Sequence, residues 1–304
     1  MLRCLICLAV LAAPLLGAAP APAAPAQRVV ASFSILADMV SQVGGDRVRV
    51  SALVGRGADA HVFEPAPRDV RTMGEASLFI VNGLGFEGWT ARLIEAAGFS
   101  GPVAVASNGI TPLPAEPGRR DHDGGARDGA SDPHAWQDLQ NALVYVANIA
   151  RALCGIDAEG CPAYEDNATR YNAAITALDR EIRDSLGRLP EGKRRIITSH
   201  DSFAYFARAY GVEMLAPVST STDTEPSARD VAALIRQIRD QGVTALFVEN
   251  ASDRRLLEQI ARETGIAIGG ELFSDTLSQP GGPAATYLDM MRHNARQLLA
   301  AFGA

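Results

Sequence analysis

Clustered positive charge, long apolar runs and cysteine are all scarce in this sequence, and each shortage excludes something. Lys and Arg number 28 against 35 Asp and Glu, for a formal charge of −7. No basic stripe offsets that excess, so no nucleic-acid partner is expected. Beyond the first residues no segment approaches the roughly 20 apolar residues that cross a bilayer. The H-E-x-x-H signature of zinc hydrolases does not occur. What remains is 47% hydrophobic and 21% charged, the composition of a globular protein with buried cores. A chain of 304 residues suffices for two domains.

The early apolar run, Leu5 to Leu16, follows Arg3 and precedes Ala24-Pro25-Ala26. That is the layout of an export leader with an A-x-A cleavage site, so residues 1–26 are read as a signal peptide. Cys4 and Cys7 lie too early to carry a lipid after the apolar run. The expected product is therefore a soluble, periplasmic monomer. Two of the 4 cysteines remain after the leader, Cys154 and Cys161. No neighbouring Cys or His completes a metal-ligand set around them, and in an oxidising compartment a short-loop disulfide is expected.

Strand and helix patterns then alternate. Val29–Phe33, Val48–Val54, Leu78–Val81 and Val103–Val105 read as strands, with helices at Ile35–Val43, Pro67–Glu75 and Trp89–Ala97 between them. Ser107 to Asp132 is rich in Pro, Gly, Asp and Arg and reads as a long surface loop; a helix from Leu139 to Leu153 follows. From Tyr164 to Leu189 apolar residues recur at helical spacing, with no Gly or Pro before Gly187. A second series places strands at Arg195–Ser199, Val212–Leu215, Ala245–Glu249 and Ile266–Gly269. The expected fold is α/β: two lobes with parallel sheets flanked by helices, joined by one long backbone helix. The lobes are assigned to residues 27–160 and 191–304, with the linking helix at 161–190.

Histidine is also scarce, at 5 residues. An isolated histidine is more often a satisfied core residue than a ligand. Three of these, however, occupy corresponding places: His61 after the second strand, His134 after the long loop, His200 at the end of Arg195–Ser199. Ligand sites of open α/β sheets lie at such carboxyl ends, and imidazole is the commonest neutral metal ligand. Asp275 follows the last strand and supplies a carboxylate. Two of the four precede the long helix and two follow it, so an ion held by all four lies between the lobes. Three His and one Asp form a closed four-donor set suited to Zn2+. His293 reads as a helix residue and His122 as a solvated loop residue.

At these residues the chain resembles the substrate-binding proteins of zinc and manganese ABC importers, the cluster A-I or TroA-like group. Asp59-Ala60-His61-Val62-Phe63-Glu64-Pro65 is similar to that group's D-x-H-x-[YF]-E-P, and Asp132-Pro133-His134-Ala135-Trp136 to its D-P-H-x-W. Ser199-His200-Asp201-Ser202-Phe203 with Tyr205 and Phe206, then Glu225-Pro226-Ser227 and finally Asp275 before Tyr287-Leu288-Asp289, follow in the family's order. The resemblance implies a non-enzymatic protein that captures a periplasmic cation at an interlobe site and delivers it to an ABC permease in the inner membrane. Carried over by position, its ligands are His61, His134, His200 and Asp275. Glu64 and Glu249 are candidates for orienting the imidazoles. Members with Glu at the third position resemble manganese proteins; His200 turns the expectation to Zn2+, with Mn2+ as the alternative.

The sequence departs from many zinc-specific members at the loop before His134, which carries only His122 among Asp, Gly and Arg. In this it is similar to the AztC-type zinc-binding proteins, which receive metal from a periplasmic zinc chaperone. The expectation is that the Ser107–Asp132 loop folds over the site or contacts such a donor. The rival reading, a secreted zinc hydrolase, requires an open coordination position that a fourth protein donor removes.

Overall fold

The computed structural model describes residues 25–115, 131–190, 194–217, 220–222, 227–243, 245–251 and 254–303. The expected leader, apart from Pro25 and Ala26, lies outside the described residues. So do His122 with most of its loop, and Glu225 and Pro226.

The first half builds one parallel sheet from β1 (Gln27–Phe33), β2 (Val48–Val54), β3 (Leu78–Val81) and β4 (Val103–Val105), in the order β2-β1-β3-β4. Helices α1 (Ser34–Gly44), α2 (Pro67–Gly74), α3 (Thr90–Ala97) and α4 (Leu139–Ile156) accompany it. Val29 to Phe33 of β1 and all of β3 are buried. Their unbroken apolar sequence suits strands covered by helices on both faces, which have no solvent side. The edge strands β2 and β4 carry exposed residues.

The second half repeats the plan. Strands β5 (Arg195–Ile197), β6 (Glu213–Leu215), β7 (Ala245–Glu249) and β8 (Ile268–Leu272) pair in parallel in the order β6-β5-β7-β8. Helices α6 (Ala204–Tyr210), α7 (Ala228–Gln241), α8 (Arg254–Thr264) and α9 (Tyr287–Ala301) flank it. In both sheets the order reverses between the first strand and the third. That switch is where open α/β sheets leave a crevice at their carboxyl ends.

Between the halves runs α5 (Cys161–Gly187), roughly 40 Å long at 1.5 Å per residue. Tyr164, Ala168, Tyr171, Ile175, Leu178, Ile182 and Leu186 form its buried stripe. It packs on α1 and α4 from the first half and on α6 and α9 from the second. One polar residue interrupts the stripe. Asp179 accepts from Gln140 Nε2 (2.7 Å), Tyr210 Oη (2.9 Å) and Arg183 Nη2 (3.1 Å), which joins α4, α5 and α6 at one carboxylate. At the other end of α5 the Cys154–Cys161 disulfide closes the turn from α4. Asp157 inside that turn accepts from Arg47 and from Tyr164 Oη (2.7 Å).

Two expectations need correction. No segment beyond the first residues is expected to span a membrane, yet α4 is long and apolar enough to do so by length and composition alone. Its Leu139, Ala142, Tyr145, Val146, Ile149 and Leu153 are buried against α5, α1 and the first sheet; its apolar character is that of a core helix. The last strand lies at Ile268–Leu272 rather than Ile266–Gly269. The pairing of β7 with β8 shifts register between Leu246 and Phe247, and a Cβ on Gly269 would press on the Phe247 ring. A small residue therefore lets the strand continue past the point where its apolar pattern ends.

Most buried side chains form one continuous core from the first sheet through α4, α5 and α6 to α9. A second, smaller core, with Ile197, Leu234, Ile238, Leu246, Leu257 and Ile260, lies between the second sheet and α7 and α8. Asp179→Ala leaves the buried Tyr210 hydroxyl without its acceptor and frees the more exposed Gln140 and Arg183, and is expected to cost about 1–3 kcal/mol. Chemical denaturation measures it; a loss below about 0.5 kcal/mol, the range of ordinary surface changes, contradicts the tie.

Candidate metal centre

Each half of the molecule delivers two of the four predicted side chains to the crevice between the sheets. His61 lies beyond β2 in a turn built by its own sequence. Asp59 Oδ1 accepts from the His61 backbone N–H at 2.9 Å, the local turn that Asx residues favour. His134 repeats the device: Asp132 Oδ1 accepts from the His134 N–H at 2.9 Å and also lies 2.8 Å from its Nδ1. Asn82 secures that turn by donating to the Pro133 carbonyl (2.9 Å).

His200 sits three residues beyond β5, and Asp275 three beyond β8. Glu249, the last residue of β7, clasps the first of these. Its Oε1 accepts from the His200 N–H (2.9 Å), its Oε2 lies 2.8 Å from His200 Nδ1, and Ser202 Oγ donates to Oε2 (3.0 Å). Asp275 is placed from the other half of the molecule. Trp136 Nε1 and Gln137 Nε2 both donate to the Ser274 carbonyl at 2.9 Å.

Four donor atoms converge as a result. His134 Nε2 lies 3.3 Å from His61 Nε2. Asp275 Oδ2 lies 3.4 Å from His61 Nε2 and 3.1 Å from His200 Nε2, while its Oδ1 lies 3.6 Å from His134 Nε2. Tetrahedral bonds of about 2.0–2.1 Å put neighbouring donors roughly 3.3–3.4 Å apart, and these separations bracket that value. The cluster is dry, with side-chain exposures of 4% for His61, 0% for His134, 2% for His200 and 4% for Asp275. Asp275 Oδ1 is buried with no hydrogen-bond partner among the described residues, although buried polar atoms are costly unless paired.

The charges match that geometry. Burial opposes a charged imidazole at His200, but the carboxylates of Glu249 and Asp275 outweigh it and hold its pKa well above the usual value. Burial likewise disfavours the Asp275 anion, yet His200 and His134 pull its pKa well below the carboxylate range. Glu249 is lowered too, because His200 outweighs its burial.

An aromatic wall excludes water from one side. The Phe86 ring meets His61 edge-on at 4.7 Å, and Trp136 meets His134 at 5.3 Å. Phe86 is held there by a tight turn in which Leu84 takes a left-handed backbone (φ 57°). Glu87 organises the turn: Ser32 Oγ and Asn82 N donate to Oε1 at 2.6 Å each, and Gly83 N to Oε2 at 3.2 Å. Burial pushes the Glu87 pKa up.

Of the two orienting carboxylates expected, Glu249 contacts an imidazole. Glu64 is exposed, and among the described residues it makes no hydrogen bond or ion pair to the three histidines. Asp132 takes that place at His134. The signal for it was present as the D-x-H spacing, which puts an Asx acceptor within reach of both the N–H and the ring. His293 lies on α9 with its Nε2 3.0 Å from the Glu271 carbonyl, apart from the cluster.

The family model described as zinc-uptake complex component A, periplasmic, matches residues 29–301. The iron ABC transporter substrate-binding lipoprotein MtsA of Streptococcus pyogenes serotype M1 is 33% identical over 273 residues, covering 88% of this chain and 86% of the relative. The manganese ABC transporter substrate-binding lipoprotein PsaA of Streptococcus mitis is 32% identical over the same coverage. Among solved structures, the periplasmic zinc binding protein TroA of Treponema pallidum superposes with a TM-score of 0.83 at 28% identity, covering 91% of this chain and 99% of that one.

The raised His200 pKa has a consequence for the metal-free protein. An imidazolium favoured by folding contributes stability that is fully present below its unfolded pKa of about 6.5, and that is lost as pH rises through the higher folded value. Glu249→Gln removes the first of its two stabilising charges. NMR titration of metal-free protein is expected to show the His200 pKa falling in the variant; an unchanged value contradicts the pairing.

Proposed function

This chain belongs to the zinc-uptake component A family of ABC-importer substrate-binding proteins, and we propose that the ion it captures and delivers is Zn2+. Membership makes it a binding component rather than an enzyme, and it implies a permease and an ATPase as partners. The description of its relatives as substrate-binding lipoproteins supports a place outside the cytoplasm. A soluble, monomeric periplasmic form is part of the proposal. So is loading by a periplasmic zinc chaperone, suggested by a loop that has too few histidines to collect metal for itself.

One observation carries the reading. Three imidazole nitrogens and one carboxylate, from four separate segments, all lie within 4.8 Å of one another in a buried crevice, with the Asp275 carboxylate 3.1–3.6 Å from each ring nitrogen. On this reading His61, His134, His200 and Asp275 are the ligands, and Zn2+ is the cargo. Imidazole nitrogen suits Zn2+ better than it suits oxygen-seeking ions. Asp132 and Glu249, at Nδ1 of His134 and His200, hold each ring with Nε2 toward the ion.

Manganese or iron is the second reading, and a specific feature favours it. Asp275 turns both oxygens to the cluster, with Oδ2 near His61 and His200 and Oδ1 near His134. A bidentate carboxylate raises the coordination number and the oxygen share, as harder ions prefer.

His200→Ala is expected to weaken Zn2+ binding by more than the roughly 10–100-fold that loss of an outer partner costs. Competition against a chelator of known affinity measures it, and an unchanged dissociation constant removes His200 from the site. Affinity is also expected to fall with falling pH. Against the effect of burial, the Glu249 and Asp275 carboxylates raise the His200 pKa in the metal-free protein, which favours the protonated ring, and a metal ligand must give that proton up. Binding heats should therefore depend on the buffer's ionisation enthalpy, with protons released; heats independent of buffer contradict the displacement.

A further inference from the structure

The four donors are attached to the two sheets unequally. Asp275 follows β8 of the second sheet, but its loop is fastened to the first half. Besides the two bonds to Ser274, Gly57 N donates to Thr276 Oγ1 (2.8 Å) and Leu277 N to Ser34 Oγ (3.0 Å). Arg56 Nη1 donates to the carbonyls of Ser278 (2.6 Å) and Ala285 (2.8 Å). Asp275 thus shares one body with His61 and His134. His200 is held on the second sheet by Glu249 and Ser202, and the helix that follows it also meets the first half, where Tyr205 Oη donates to the Asp132 carbonyl (3.0 Å). Holding an ion on all four donors requires the second sheet to stay seated against the first half.

Thr222 lies between β6 and α7, and its Oγ1 donates across the crevice to Asp59 Oδ2 at 2.6 Å. The other oxygen of the same carboxylate, Oδ1, accepts from the His61 N–H. A single carboxylate therefore joins the turn that carries His61 to a segment leaving the second sheet, and a hydroxyl donating to a carboxylate is one of the stronger hydrogen bonds. Neither group is among the four donors. We propose that Thr222 is a positioning residue for metal retention: its hydroxyl, through Asp59, holds the His200-bearing sheet against the His61 turn and slows release of the ion. The proposal rests on the metal-binding reading above.

Its effect is read on release, because the crevice around a bound ion opens at the His61 turn only when this bond breaks. The test uses full-length mature protein loaded with Zn2+ alone, with release followed after a jump into excess chelator. Thr222→Val keeps the shape and removes the donor; Thr222→Ser keeps the donor. Thr222→Val is expected to release Zn2+ about tenfold faster or more, the effect of losing a hydrogen bond to a charged group. Its association rate and the melting temperature of its metal-free form should be unchanged, and Thr222→Ser should release at close to the wild-type rate. Thr222→Ala, a second variant without the donor, should match Thr222→Val and guards against a misfit of the valine. Release at the wild-type rate from both Val and Ala variants, or equally fast release from the Ser variant, overturns the proposal. His200→Ala is run alongside. If it binds Zn2+ as wild type does, the underlying site assignment fails. If it loses Zn2+ while Thr222→Val behaves as wild type, only this inference fails.

Discussion

Asp275 is a carboxylate buried almost completely, and the positive side of three imidazoles is what keeps it charged there. An isolated anion in that crevice would have to be neutralised by a proton, because its desolvation is too costly otherwise. His200 and His134 supply the compensating field, and Glu249 and Asp132 lie against the outer nitrogens of those rings. The rest of the fold can be read as the support this arrangement requires. Both sheets aim their carboxyl ends at one crevice, and the Glu87 turn sets Phe86 against His61. Trp136 performs two tasks, closing the crevice beside His134 and holding the Ser274 carbonyl.

The support is asymmetric, and that asymmetry suits a carrier. A cage built wholly on one body would hold an ion firmly and release it slowly. Here α5 and the bolted loop after β8 tie three donors to the first half. Tyr205 and Tyr210 tie the helix after His200 to it as well, and only the outer helices α7 and α8 have a small core of their own.

Much of this was legible in the sequence, for identifiable reasons. Strand ends were legible where β-branched runs stop abruptly, as at Ile196-Ile197 before His200. The long helix was legible because no Gly or Pro interrupts its apolar spacing before Gly187. The four clustered side chains were legible because three histidines share corresponding places at strand ends and Asp275 follows the last strand. The outer partners were harder. Glu249 lies 49 residues from His200 and meets it only because β5 and β7 are neighbours in the sheet. Glu64, close in sequence to His61, is turned to solvent, whereas Asp132 earns its place through a local turn. The β8 boundary was misread because two glycines let the strand run on where apolar pattern gives no signal. The fastening of the Asp275 loop to the first half depends on backbone carbonyls meeting Arg56, Trp136 and Gln137, which no spacing along the chain encodes.

X-ray absorption at the metal edge, on protein purified with the ion it acquires in its own compartment, tests the central claim most directly. Zinc is expected as the bound metal, surrounded by about four nitrogen and oxygen neighbours near 2.0–2.1 Å with the outer-shell scattering of imidazole rings. Manganese or iron as the acquired metal, or a shell of about six oxygen-dominated neighbours without imidazole scattering, would contradict it.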